Sequence, residues 1–90
     1  MTSREITIHS ENGIHARPAT FFTQKANKYR AQIWVEKEER RANAKSLLGV
    51  LSLGIAENTT VTLIADGQDE VEALDGMQAL IDADFDESAL

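Results

Sequence analysis

The chain switches repeatedly between two hydrophobic periods. Over residues 4–9, Ile6 and Ile8 face one way and Glu5, Thr7 and His9 the other, the two-residue repeat of a half-buried strand. Glu11-Asn12-Gly13 is a turn signal. From Ala16 the repeat lengthens: Ala19, Phe22, Ala26 and Tyr29 are spaced 3, 4 and 3 apart, one stripe of a helix. Pro18 falls in the first turn, where its missing N–H costs little. The helix therefore starts at about residue 16, and His15 stands at its N-terminal boundary.

Alternation returns over residues 31–36, with Ala31, Ile33 and Val35 on one face and Trp34 on the other. Lys37-Glu38-Glu39-Arg40 reads as a hairpin loop and Arg41 to Ala44 as a short returning strand. Ser46 precedes Leu47, Leu48, Val50 and Leu51, a short helix closed by Gly54. Thr60 to Ala65 is the clearest strand, with Val61, Leu63 and Ala65 on its inner face, and Asp66-Gly67 turns the chain. A helix follows from Asp69 to about Asp84, with Val71, Leu74, Met77 and Ile81 along its packed side. Asp69, Glu70 and Glu72 in its first turn suit the positive end of the helix dipole. The acidic tail Asp84 to Leu90 reads as frayed. The order is β-α-β-β-α-β-α. Helices on one face of a largely antiparallel sheet, with the other face solvated, satisfy that order most economically. The fold class is α+β, an open-faced β-sandwich.

Ninety residues suffice for one domain, taken as residues 1–90. Apolar residues at 42% and charged residues at 27% place the chain among globular proteins. Fifteen acidic residues against nine Lys and Arg leave a net charge of −6. That balance argues against direct nucleic-acid binding, which draws its affinity from surplus cations, and against docking on an anionic membrane. The absence of cysteine excludes a disulfide framework, a thiolate metal site and a Cys nucleophile. The run Leu47 to Ala56 is broken by Gly49, Ser52 and Gly54 and falls short of the roughly 20 residues that cross a bilayer. No apolar signal-peptide core opens the chain, so the cytoplasm is the expected compartment. His9 and His15 have no third ligand at metal spacing, and there is no cofactor loop, so neither metal nor cofactor is expected. No additional large apolar face is evident, and a monomer is expected.

The candidate chemistry lies in Gly13-Ile14-His15-Ala16-Arg17-Pro18-Ala19. A helix N-terminus presents unpaired N–H groups and partial positive charge, and phosphate settles there readily. An imidazole in its neutral form is a competent nucleophile. A phosphoryl group placed on it would lie within reach of those N–H groups. The planar fork of Arg17 can engage two of its oxygens. Taken singly, His15 and Arg17 read as ordinary surface residues; the glycine turn before them and Pro18 after them make the combination unusual.

This segment resembles the active-site signature of the HPr family, the histidine phosphocarriers of the bacterial phosphoenolpyruvate-dependent sugar phosphotransferase system. Asn43-Ala44-Lys45-Ser46-Leu47-Leu48-Gly49-Val50-Leu51-Ser52-Leu53-Gly54 is similar to the regulatory-serine signature of the same family. The resemblance implies a four-stranded antiparallel sheet with three helices on one face. It implies that His15 takes a phosphoryl group at Nδ1 from phospho-enzyme I and passes it to enzyme IIA domains. Arg17 and the backbone N–H groups of Ala16 and Arg17 would stabilise that group. Such a protein is a phosphoryl-group carrier within a relay, and not an enzyme in the turnover sense.

Ser46 reads first as an N-cap. The resemblance adds phosphorylation by an ATP-dependent HPr kinase/phosphorylase and recognition by a catabolite-control transcription regulator. Leu47, Leu48 and Leu51 cannot all be buried by one helical face, and with Thr20 they match the family's docking positions around the active centre. Gln24 and Lys45 are expected rim contacts. The segment Phe85-Asp86-Glu87 looks like the end of the nitrogen-branch paralogue, whereas the Ser46 segment resembles the sugar branch. A catabolite-repression paralogue lacks the active-site histidine, and His15 argues against that identity.

Overall fold

The computed structural model describes residues 1–90. Strand β1 (Thr2–Ile8) leads to helix α1 (Ala16–Ala26), then to the hairpin β2 (Gln32–Lys37) and β3 (Arg40–Asn43). Helix α2 (Leu47–Ser52), strand β4 (Thr59–Asp66) and helix α3 (Glu70–Asp82) follow, and a single 3-10 turn, Glu87–Ala89, ends the chain. The four strands form one antiparallel sheet in the order β1-β4-β2-β3. In register, Ile6 lies opposite Val61, Val35 opposite Leu63 and Ile33 opposite Ala65, which sets these side chains on one face. All six are buried there, under Ala19, Phe22 and Ala26 of α1 and Leu74, Met77 and Leu80 of α3. They belong to one cluster of 22 buried side chains. The open-faced α+β arrangement read from the periodicity is the fold observed.

Several boundaries differ from the sequence reading, each for a local reason. Strand β1 begins at Thr2, opposite Ala65, and ends at Ile8, so His9 lies outside it. The hairpin turn is tighter than the polar run suggests, because Glu38 adopts φ +57° and Arg40 already pairs with Lys37. Helix α1 ends at Ala26, yet Tyr29 still packs on the core, its hydroxyl lying over Gly76 of α3. A Cβ on Gly76 would stand 1.8 Å from that oxygen, so any larger residue there must displace the Tyr29 hydroxyl. Val71 is 58% exposed and does not belong to the packed side of α3. At about 100° per residue it sits about 120° around the helix from the centre of the buried stripe through Ala73, Leu74, Met77, Leu80 and Ile81.

The tail is not frayed. Asp84 (φ +55°) and Phe85 (φ +59°) reverse the chain after α3. Phe85 then buries its ring in the core, and its amide donates to the Leu80 carbonyl at 2.8 Å. The Lys25 ammonium donates to the Ala89 carbonyl at 2.7 Å, tying the last turn to α1. One aromatic anchor outweighs the acidic composition, since burying a ring of that size is worth about 1.5–3 kcal/mol.

Cations of the hairpin serve α2. Lys37 donates to the Gly54 carbonyl at 2.9 Å and Arg40 to the Ser52 carbonyl at 2.6 Å, where a helix C-terminus favours positive charge. Arg41 bonds Glu36 at 3.0 Å and lies over the Trp34 ring, 5.9 Å from its centroid.

Asp69 is the N-cap of α3 rather than its first helical residue. Its carboxylate accepts the amides of Arg30 at 2.9 Å and Ala31 at 2.8 Å, pinning the α1–β2 connection. The Arg30 amide above all, and then that of Ala31, hold Asp69 below its ordinary value of 3.8. A carboxyl depressed in this way stabilises the fold above its unfolded pKa, and the contribution disappears as pH falls through the folded value. Asp69→Asn, which cannot accept both amides equally, should therefore lower the urea midpoint at neutral pH. The gap from wild type should close in acid below 3.8. Urea titrations of both proteins across that range check this, and a gap independent of pH would count against it.

Candidate functional site

The site is set by the connection between β1 and α1. Ile14 is buried, and its amide donates to the Ile55 carbonyl at 2.9 Å. Gly13 approaches the same segment at φ +65°, with its amide on the Ser10 carbonyl at 2.9 Å. Any Cβ there would stand 2.1 Å from the Ile55 oxygen. With residue 14 fixed inward, His15 is turned outward in extended conformation (φ −91°, ψ −165°) and becomes the N-cap of α1.

The His15 carbonyl accepts the Ala19 amide at 2.9 Å, but its imidazole makes no capping bond and is exposed. The amides of Ala16 and Arg17 have no hydrogen-bond partner, and Pro18 has no N–H. The imidazole thus stands at a helix end with free donors, an arrangement suited to an anion. The Arg17 guanidinium lies over the Phe21 ring, 5.8 Å from its centroid, and forms no ion pair. His15, Arg17 and Phe21 share an open groove of about 660 Å³ whose other wall includes Asp84, Asp86 and Glu87. Ser10 donates its hydroxyl to Asp84, latching that wall to the loop before α1.

The remaining predicted residues are distributed over α1 and α2, which pack together. Thr20 is exposed, its hydroxyl donating to the Ala16 carbonyl at 2.9 Å, and Gln24 is exposed one turn further on. Ser46 is the N-cap of α2, its oxygen accepting the Gly49 amide at 3.1 Å. Leu48 is 80% exposed and Leu47 39%, whereas Leu51 is half-buried against the core. Lys45 does not point freely from the rim: its ammonium donates to the Tyr29 carbonyl at 2.7 Å. Ser46, Leu47 and Leu48 lie outside the groove of His15.

Two features escaped the sequence. Phe21 follows Arg17 by four residues, a spacing that puts both on one helix face, and that was the signal available for it. The tail wall gave none, because nothing local to residues 83–87 shows that they fold back toward residue 15.

Residues 2–83 match the family described as the PTS HPr component phosphorylation site, and the chain belongs to that family. The class is therefore the HPr and HPr-like proteins. The HPr-like protein Crh of Halalkalibacterium halodurans is 39% identical over 82 residues, covering 91% of this chain and 98% of that protein. The phosphocarrier protein HPr of Neisseria meningitidis is 38% identical over 87 residues, covering 97% and 98%. The crystal structure of HPr-C-His from Thermoanaerobacter tengcongensis superposes with a TM-score of 0.92 at 45% identity, covering 94% and 96%. HPr from that organism has also been solved as a dimer, with a TM-score of 0.77, 46% identity and coverage of 93% and 99%. That dimer weighs against the expectation of a monomer, which rested only on the lack of a further apolar face.

Gly13→Ala should cost about 2–5 kcal/mol, combining a left-handed backbone penalty of about 1–2 with overpacking of about 1–3. Denaturant unfolding measures it, and a variant as stable as wild type would show that the Gly13–Ile55 approach does not hold the loop.

Proposed function

We propose that this chain is a phosphocarrier of the sugar phosphotransferase system. His15 takes a phosphoryl group from phospho-enzyme I, which draws on phosphoenolpyruvate, and hands it to enzyme IIA domains. The single observation behind this reading is the exposed His15 imidazole at the open end of α1, beside the free amides of Ala16 and Arg17. On loading, the Nδ1 lone pair of His15 forms a new P–N bond as the donor's bond to phosphorus breaks; on discharge the His15 P–N bond breaks as the next acceptor bonds phosphorus, and the released pair returns to Nδ1. The amides and the Arg17 guanidinium stabilise the negative charge during transfer. The residues of the relay consume and regenerate phosphohistidine rather than turn over a substrate.

Leu47 and Leu48 supply apolar anchors for the partner surfaces, with exposed Thr20 and Gln24 on the helix packed against α2 and half-buried Leu51 as further contacts. Such exposed leucines rimmed by polar groups suit a docking patch. Lys45 contributes less, because its charge is engaged at Tyr29.

Ser46 is the regulatory input. A phosphate there would add about −1.5 to −2 charge at a helix start, which tolerates it, so the fold survives while docking suffers. A second reading, a regulator acting mainly by protein binding through Ser46, draws support from the similarity to Crh. The presence of His15 favours the carrier, since the catabolite-repression paralogue lacks that histidine.

Incubation with enzyme I and labelled phosphoenolpyruvate separates the two. An acid-labile, alkali-stable label is expected on wild type and none on His15→Ala; an unlabelled wild type would sink the carrier reading. Ser46→Asp should fold normally, because Asp also caps helices well. It should accept phosphate at least about tenfold more slowly, a change of about 1.4 kcal/mol. Equal rates would remove the inhibitory role of Ser46.

A further inference from the structure

Arg17 has no ion pair and no side-chain hydrogen bond. Its one defined neighbour is the Phe21 ring, with the guanidinium carbon 5.8 Å from the centroid. Phe21 is itself half-buried against the core, so the ring is a fixed surface while the arginine is a long chain in solvent. Arginine carries several freely turning bonds, and holding its fork in place costs conformational entropy. Carboxylates of Asp84, Asp86 and Glu87 form the opposite wall of the same groove and offer a competing attraction. None of them comes within ion-pair distance.

We propose that Phe21 is a positioning residue for phosphoryl transfer: its ring face holds the Arg17 guanidinium beside His15 before the phosphoryl group arrives. The inference rests on the carrier reading given above. With its carbon 5.8 Å from the ring centroid and no hydrogen bond of its own, the guanidinium keeps its N–H donors free for phosphate oxygens. Preorganising a charged group in this way lowers the barrier without changing how the partner binds. Covering the core would require only apolar volume at this position, and leucine supplies that.

The test compares wild type with Phe21→Leu, which keeps apolar cover and removes the ring, and Phe21→Tyr, which keeps the ring. Phosphorylation of His15 by phospho-enzyme I is followed with protein concentration varied, so that kcat and KM separate. Phe21→Leu should lower kcat about twofold to fivefold with KM unchanged, the size expected from a cation–π contact at an exposed site. Phe21→Tyr should restore the wild-type value. Proton NMR of the unphosphorylated protein should show the Arg17 δ-methylene shifted upfield by the ring in wild type and Phe21→Tyr, and unshifted in Phe21→Leu. Phosphoramidate, a donor that transfers its phosphoryl group and releases ammonia, repeats the comparison without enzyme I. If wild type gains phosphate at His15 but Phe21→Leu matches it in kcat, or Phe21→Tyr falls as far as Phe21→Leu, the positioning role is overturned and the carrier reading stands. If wild type gains no phosphate from either donor, both fall together.

Discussion

Ile14 goes into the core one residue before the chain turns into α1, and the arrangement of the candidate site follows from that. Its side chain is buried, its amide is bonded to Ile55, and Gly13 lies against the same strand approach. Successive residues of an extended chain point to opposite sides, so an inward Ile14 makes an outward His15. The helix starts two residues later, and the Ala16 and Arg17 amides, like the first amides of any helix, are free. The buried isoleucine thus brings the exposed imidazole to that open helix end.

Around that point the charges are arranged sparsely. The chain carries a net charge of −6, and the groove beside His15 contains one cation, Arg17, facing three carboxylates of the tail. A fully paired arginine would be unavailable to an incoming anion, and an arginine adrift in solvent would have to be ordered on arrival. The cation–π contact with Phe21 lies between those extremes: it gives the guanidinium a neighbour while leaving its N–H donors unbonded.

The second feature, the start of α2, is built on different physics. Ser46 caps the helix, while Lys37 and Arg40 attend its far end. These contacts hold a helix of only six residues, too short to stand on propensity alone. Held in this way it can afford to leave Leu48 almost bare, which a free short helix could not do without fraying. The same hydroxyl that caps the helix is the one the family resemblance marks for phosphorylation.

Much of this was written in local pattern. The strand and helix periods gave the element order, because a residue's inward or outward facing is set by its immediate neighbours in the chain. Gly13 through Ala19 located His15 and Arg17, since a turn, an N-cap position and a proline in the first turn are all neighbours in sequence. Ser46 as a cap was legible for the same reason. What stayed hidden was everything that depends on residues distant in the chain: Gly76 yielding to Tyr29, Asp69 capturing the Arg30 and Ala31 amides, and Lys45 tied to Tyr29. The tail is the plainest case. Its acidic composition spoke for fraying, and only the place left in the core for one phenyl ring made Phe85 an anchor and brought three carboxylates to the groove of His15. Local periodicity fixes which way a side chain faces, but whether a cavity waits for it is decided by the packing of elements far apart in sequence.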